Sequence, residues 1–352
     1  MKRFLLLMTL WCGCSFADDL SSLSDEFNDV TTMPNWHRLF QTEGWVADQL
    51  ETLDVDTSAP GHMRMMPHTS SWFNQLRGPL MYKELNGDFI VTARLRVSSR
   101  NDPNAPPGRL FSLAGLMVQA SRGSTSAAPS PYTTAPVWPP AANGSDWSAN
   151  NDNYISLTYG SAGNSSTWQY LSQSTLNSSS QVYHASSGVP GGGEIELQIV
   201  RIGGTLVALR RHPGGDWIVE NRYPNPDHPF PNFGETVRVG VTAYTDWNNV
   251  EPYWNGGNAE TQFHYNYTVL DDPGMQPDLI ADVDYIRFNR PSPALTEAML
   301  QALPTSYNPA INQSIAIALP AGGAADYLGD NAGEGPPAVG FVETSAELGE
   351  VP

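Results

Sequence analysis

Apolar and polar residues alternate along much of this chain. Ile195, Leu197 and Ile199 alternate with Glu194, Glu196 and Gln198, which is the period of a strand with one buried and one wet face. Gly203-Gly204 marks a tight turn that needs positive φ, and Thr205 to Leu209 runs back as a second strand. His212-Pro-Gly-Gly-Asp216 is a second turn signal, and Trp217 opens a third strand. This antiparallel meander stands at the centre of the predicted fold. Upstream, Phe89, Val91, Ala93, Leu95 and Val97 share one face of a strand that follows Asn86-Gly87, a hairpin signal. Phe111 to Ala120 is apolar without alternation and reads as a strand buried on both faces. Val237, Val239 and Val241 mark another strand. Further strands are expected within 45–56, 61–66, 78–85, 154–159, 167–171, 181–185, 262–269 and 283–288, with a first short strand and turn in 26–29 and 36–40. Residues 244–260 read as a loop, and helical periodicity is confined to a short segment near 293–303. Many short strands with turn signals between them predict an all-β sandwich.

The flanks differ. Lys2 and Arg3, the apolar run Phe4 to Trp11 and the small-residue site Ser15-Phe16-Ala17 form a secretion signal over residues 1–17. The apolar run is too short to span a membrane, so no membrane insertion is expected. Both cysteines, Cys12 and Cys14, lie inside it. Cleavage after Ala17 leaves an exported chain, extracellular or periplasmic, that carries no disulfide. The alternative is a lipoprotein anchored at Cys14. Residues 18–291 then form one large sandwich, such domains often reaching ~200–250 residues, with a long inserted loop at about 122–153 rich in Ser, Ala, Pro and Asn. Residues 292–352 are a Gly-, Ala-, Pro- and acid-rich tail, predicted to be mostly disordered. The formal net charge of −18 becomes −20 once Lys2 and Arg3 leave with a leader that holds no acids. A field of that sign excludes nucleic acid and anionic membranes as general partners.

Six pieces occur in one order: Asn86-Gly-Asp-Phe-Ile-Val-Thr-Ala-Arg-Leu95, Leu113-Ala-Gly-Leu-Met-Val-Gln-Ala120, Leu197-Gln-Ile-Val-Arg-Ile-Gly-Gly204, Gly214-Gly-Asp-Trp217, Val239-Gly-Val-Thr-Ala243 and Val283-Asp-Tyr-Ile-Arg-Phe288. Taken together they resemble the concanavalin A-like lectin/glucanase superfamily, above all the jelly-roll modules of bacterial β-xylosidases and the laminin G-like domains. The resemblance covers roughly 25–291. It implies two antiparallel sheets whose concave face or rim loops bind sugars, and it does not by itself imply catalysis.

Three kinds of chemistry follow. Glucanases of the superfamily resemble one another in a strand motif that ends in an acid/base Glu. Here the strand reads Glu194-Ile-Glu196-Leu-Gln198-Ile, and an amide cannot protonate a leaving group. Glu194 and Glu196 alone, ~6.6 Å apart at Cα, approach the ~5–5.5 Å carboxyl spacing of a retaining hydrolase, so they stand as weak catalytic candidates against the commoner role of solvated carboxylates. A lyase on this fold would need a Tyr or His for proton transfer. Of the seven histidines only His184, beside Tyr183, draws notice, and a surface role is its expectation. Sugar binding needs aromatic faces and amide or acid partners. Asp246, Trp247, Asn248, Tyr253 and Trp254 form the densest such stretch, with Trp138 and Trp147 in the long loop next, whereas Trp72 and Trp217 are expected in the core. Jelly rolls of this superfamily often hold a structural calcium, for which Asp284, Asp25 and Asp29 are the candidate ligands. The residues therefore favour a secreted, lectin-like binder of a polysaccharide or other glycan. A glycoside hydrolase or polysaccharide lyase, or a non-catalytic surface protein, is the alternative.

Overall fold

The computed structural model describes residues 19–43, 48–74, 76–120, 152–185, 189, 191–203, 205–215, 217–223, 233–255 and 273–291, with two dipeptides at 317–318 and 342–343. The leader, the inserted loop with Trp138 and Trp147, the strand expected at 262–269 and nearly all of the tail lie outside these residues.

Fourteen strands form the sandwich: β1 (His37–Arg38), β2 (Leu50–Val55), β3 (Met63–Pro67), β4 (Leu80–Asn86), β5 (Phe89–Ser98), β6 (Ser112–Ala120), β7 (Tyr154–Ser161), β8 (Gln169–Leu176), β9 (Ser179–Ala185), β10 (Glu194–Ile202), β11 (Thr205–Arg211), β12 (Ile218–Tyr223), β13 (Thr236–Tyr244) and β14 (Ile280–Asn289). One seven-stranded sheet, the front sheet, has the order β1-β4-β13-β6-β7-β8-β9. The back sheet, also seven-stranded, has the order β12-β11-β10-β5-β14-β3-β2. Every pairing between these strands is antiparallel. This is the two-sheet jelly-roll sandwich that the resemblance implies.

Alternation builds the core. Ile195, Leu197 and Ile199 of β10 point inward with Val91 and Ala93 of β5, against Leu116 of β6 and the valines of β13. Gly203 takes φ 57° between Ile202 and Thr205, as the β10–β11 hairpin demands. The meander sits at one edge of the back sheet rather than at its centre, because β12 has no second neighbour.

Asn86-Gly87 turns the chain, with Gly87 at φ 71°, but it closes no hairpin. β4 pairs with β1 and β13, and β5 with β10 and β14, so the turn carries the chain from one sheet to the other. A turn signal reports a local reversal and is silent about which strand becomes the partner. A hairpin without a glycine occurs at β8–β9, where Asn177 and Ser178 hold φ 49° and 61°.

The centre of the front sheet, β6 to β8, is buried on both faces. All nine residues of β6 are buried. Its inner face contributes Ala114, Leu116 and Val118 to the core between the sheets, and its outer face contributes Leu113 and Met117 to a second apolar layer with Trp72, Tyr154, Leu171 and Tyr244. Trp72 covers this outer layer from the segment before β4, donating its indole N–H to Thr242 Oγ1 at 3.0 Å. Trp217 is buried, as expected. No helix among the described residues is long and apolar enough to cross a membrane.

Candidate functional site

The outer layer leaves a cavity of about 260 Å³ on the front sheet. Its floor follows from register. Leu171 pairs with His184 and Gln173 with Val182, so these residues of β8 and β9 share the outer face. Tyr244 ends β13 on the same face, Ser71, Trp72 and Phe73 form one wall, and Phe111 and Trp247 form another.

Trp247 opens a nine-residue helix, α2 (Trp247–Asn255), where the sequence predicts a loop. Asp246 explains the helix. It caps the first turn, its carbonyl accepting from the N–H groups of Asn249 and Val250 at 3.0 and 3.3 Å. Its carboxylate accepts from Thr69 Oγ1 at 2.6 Å, from the Gln276 N–H at 2.8 Å and from Asn249 Nδ2. Asp246 is 0% exposed and holds φ 75°. It therefore joins three segments and is not a sugar-facing acid. Asn248 is exposed, but its Oδ1 accepts from the Leu110 N–H at 3.0 Å and anchors the approach to β6. The Trp247 N–H donates to Leu110 O at 3.0 Å. Of the binding stretch read from the sequence, Trp247 alone reaches the cavity among the described side chains. The side chains of Tyr253 and Trp254 lie outside the described residues.

Trp247 is half-buried and meets Phe73 edge-on, with ring centroids 5.6 Å apart and planes at 74°. It meets Phe111 the same way at 6.1 Å and 75°. Phe111 in turn meets His184 at 6.1 Å and 76°. Edge-to-face contact leaves ring faces available rather than stacking them on each other. His184 stands exposed at the mouth, and partial burial lowers its pKa, favouring the neutral ring. Sequence reading missed Phe73 and Phe111. Phe111 holds φ 48°, an uncommon value for a large side chain, but no sequence signal marks it.

The carboxylate pair lies on the opposite outside of the molecule. Glu194 and Glu196 project from the outer face of the back sheet, across from Arg96 and Arg94 of β5. Glu194 is exposed, whereas Glu196 is 1% exposed and fully engaged. Glu196 accepts from Arg94 Nη2 at 2.5 Å and Nε at 3.0 Å, from Tyr285 OH at 3.0 Å and from Arg211 Nε. Burial works against its charge, but Arg211 and Arg94 outweigh that and hold its pKa below the usual range. A carboxylate so occupied has no free oxygen for a substrate, so the two-carboxylate active site is not formed. Gln198, which stands where the motif has its acid/base, donates to Thr92 Oγ1 at 2.7 Å.

The three aspartates expected to hold calcium are engaged in separate contacts. Asp25 accepts from Trp36 Nε1 at 2.9 Å and from the Phe27 N–H at 3.0 Å. Asp29 accepts from the Thr31 N–H at 2.8 Å, capping a short 3₁₀ turn (Val30–Asn35). Asp284 lies 3.6 Å from Arg94. No cluster of three acidic, His or Cys side chains suited to a metal occurs among the described residues. These three aspartates do not fit the expected calcium.

Comparison of the fold with solved structures finds similar sandwiches at low identity. A functionally unknown protein from Saccharomyces cerevisiae is 12% identical with a TM-score of 0.43, over 74% of this chain and 98% of that one. The GH43 protein BlXynB from Bacillus licheniformis is 12% identical with a TM-score of 0.41, over 76% of this chain and 39% of that one. Lectin II from Ulex europaeus is 10% identical with a TM-score of 0.35, over 72% of this chain and 97% of that one. No family model and no curated protein matches the chain.

Proposed function

We propose that this protein is an exported, non-catalytic glycan-binding protein whose site is the aromatic cavity on the outer face of the front sheet. One observation carries the reading. Trp247 is held edge-on between Phe73 and Phe111 at a cavity that also carries His184, while none of the cavity's lining residues is acidic. The C–H faces of a sugar stack on such rings, and general acid/base hydrolysis lacks its paired carboxylates there. The leader read in residues 1–17 supports export.

A glycan array combined with a reducing-sugar assay on the same glycans tests this. Binding without product release is expected, and Trp247→Ala is expected to weaken binding roughly 5- to 150-fold with unchanged far-UV circular dichroism, since stacking contacts on aromatic rings are worth ~1–3 kcal/mol. Release of reducing ends overturns the non-catalytic reading. Absence of binding to every glycan overturns the function itself.

A further inference from the structure

We infer that the group entering the cavity is a methyl-bearing substituent of the glycan, such as an O-acetyl, N-acetyl, O-methyl or 6-deoxy methyl group, and not a bare polyhydroxyl ring. The inference rests on the glycan-binding reading and specifies which part of the glycan the cavity takes.

The cavity is large enough for a ring, but its lining offers few polar partners to the hydroxyls of a ring buried in it. Six of its lining residues are aromatic or aliphatic: Trp72, Phe73, Phe111, Val182, Tyr244 and Trp247. Several of the donors among them and their neighbours are already committed, which leaves few polar groups for a ring buried here. Trp72 Nε1 donates to Thr242 Oγ1 at 3.0 Å. Gln173 Nε2 donates to Tyr154 OH at 2.7 Å and to Trp72 O at 3.1 Å. The Tyr244 hydroxyl is paired with Thr158, and burial pushes its pKa up, which keeps it neutral. A hydroxyl stripped of water here without a new partner costs roughly tenfold or more in affinity, so a ring burying several hydroxyls is rejected. A methyl group loses nothing on desolvation and gains apolar contact with Val182 and the aromatic walls. The Ser71 hydroxyl and the exposed His184 ring lie beside it as polar partners for an acetyl carbonyl or a ring oxygen.

Matched pairs on the same array test this: N-acetylglucosamine oligomers against glucose oligomers, fucosides against galactosides, and acetylated xylan against the same xylan after mild alkaline deacetylation. Affinities are read by quenching of tryptophan fluorescence. The wild-type protein is expected to prefer the substituted member of at least one pair by about tenfold, a buried methyl being worth roughly fourfold and its added contacts the rest. Val182→Ser, which adds an unpaired hydroxyl to the wall, is expected to cut that ratio severalfold. Equal binding of both members of every pair, or preference for the bare member, overturns the inference and leaves glycan binding standing. Absence of binding to all members overturns the glycan-binding reading and the inference with it. A preference that survives Val182→Ser unchanged also overturns the placement of the methyl group in this cavity.

Discussion

Glu196→Gln separates a structural carboxylate from a catalytic one. In the folded protein Glu196 accepts four hydrogen bonds, three from guanidinium groups and one from Tyr285 OH. Arg211 is only 9% exposed and has little water to replace the lost charge, whereas the 31% exposed side chain of Arg94 recovers part of its hydration. Removing one partner of a buried ion pair costs ~3–5 kcal/mol. The Gln amide oxygen still accepts for Tyr285 or Arg94, but its NH₂ must face a donor, so a loss of about 3 kcal/mol is expected. Urea unfolding followed by tryptophan fluorescence at pH 7 measures it. At a slope near 3 kcal/mol/M the midpoint falls by about 1 M with the slope unchanged. The wild type adds a second signature. Because the folded-state pKa of Glu196 lies below the ordinary glutamate value of 4.5, its contribution is present above that pH and is lost as pH falls through the folded-state value. The variant lacks this part of the acid destabilisation. A variant within ~0.5 kcal/mol of wild type at pH 7, with the same acid slope, would falsify the buried ion cluster.

Gly240→Ala places a Cβ 1.8 Å from Met81 O and 2.7 Å from Tyr82 Cα on neighbouring β4, so β13 and β4 must part. A cost of about 3 kcal/mol and a fall in Tm of roughly 6–12 °C are expected by thermal melting; an unchanged melt contradicts the close strand approach. Asp246→Ala loses the carboxylate's hydrogen bonds from Thr69 Oγ1, Asn249 Nδ2 and the Gln276 N–H and leaves alanine at φ 75°, with an expected cost of ~3–5 kcal/mol and faster amide exchange at Gln276. Asp246→Asn, whose side chain tolerates that backbone, costs less. Asp152, wholly buried with Arg77 and near Glu43, has its pKa raised from 3.8 to about 6 because burial outweighs the guanidinium. Its contribution to stability is therefore full below about pH 4 and is lost as pH rises through about 6, a decline of about 2–3 kcal/mol. Asp152→Asn is expected to flatten that window in pH-dependent melts, and an unaltered window would refute the assignment.

Local patterns and long-range partners divided unevenly in this chain. Period-two alternation is a property of neighbouring residues, so Ile195, Leu197 and Ile199 declare an inward face before any partner is known. The unbroken apolar run of β6 likewise declares burial on both sides. The glycine turn at 203 and the sandwich class follow from the same short-range physics. Partner choice does not. Asn86-Gly87 looks like a hairpin and is a crossover, because sheet pairing depends on strands more than a hundred residues away. Glu196 looks like any wet carboxylate until β11 and β14 bring Arg211 and Tyr285 to it.

Asp246 and Asn248 look like sugar ligands because residue type is local, but Thr69, Gln276 and Leu110 claim them from afar. The helix after Asp246 escaped notice for the same reason: its start depends on a cap held by segments distant in the chain. The candidate site is the extreme case. Phe73, Phe111, His184 and Trp247 come from four separate stretches, and no spacing in the chain relates them. Hydrophobic periodicity sufficed to make two sheets and one core, since burying apolar faces needs only their alternation. Which charges meet, which turn crosses between sheets and which rings surround a cavity depend on register and on loop closure, and these are settled when the sheets pack.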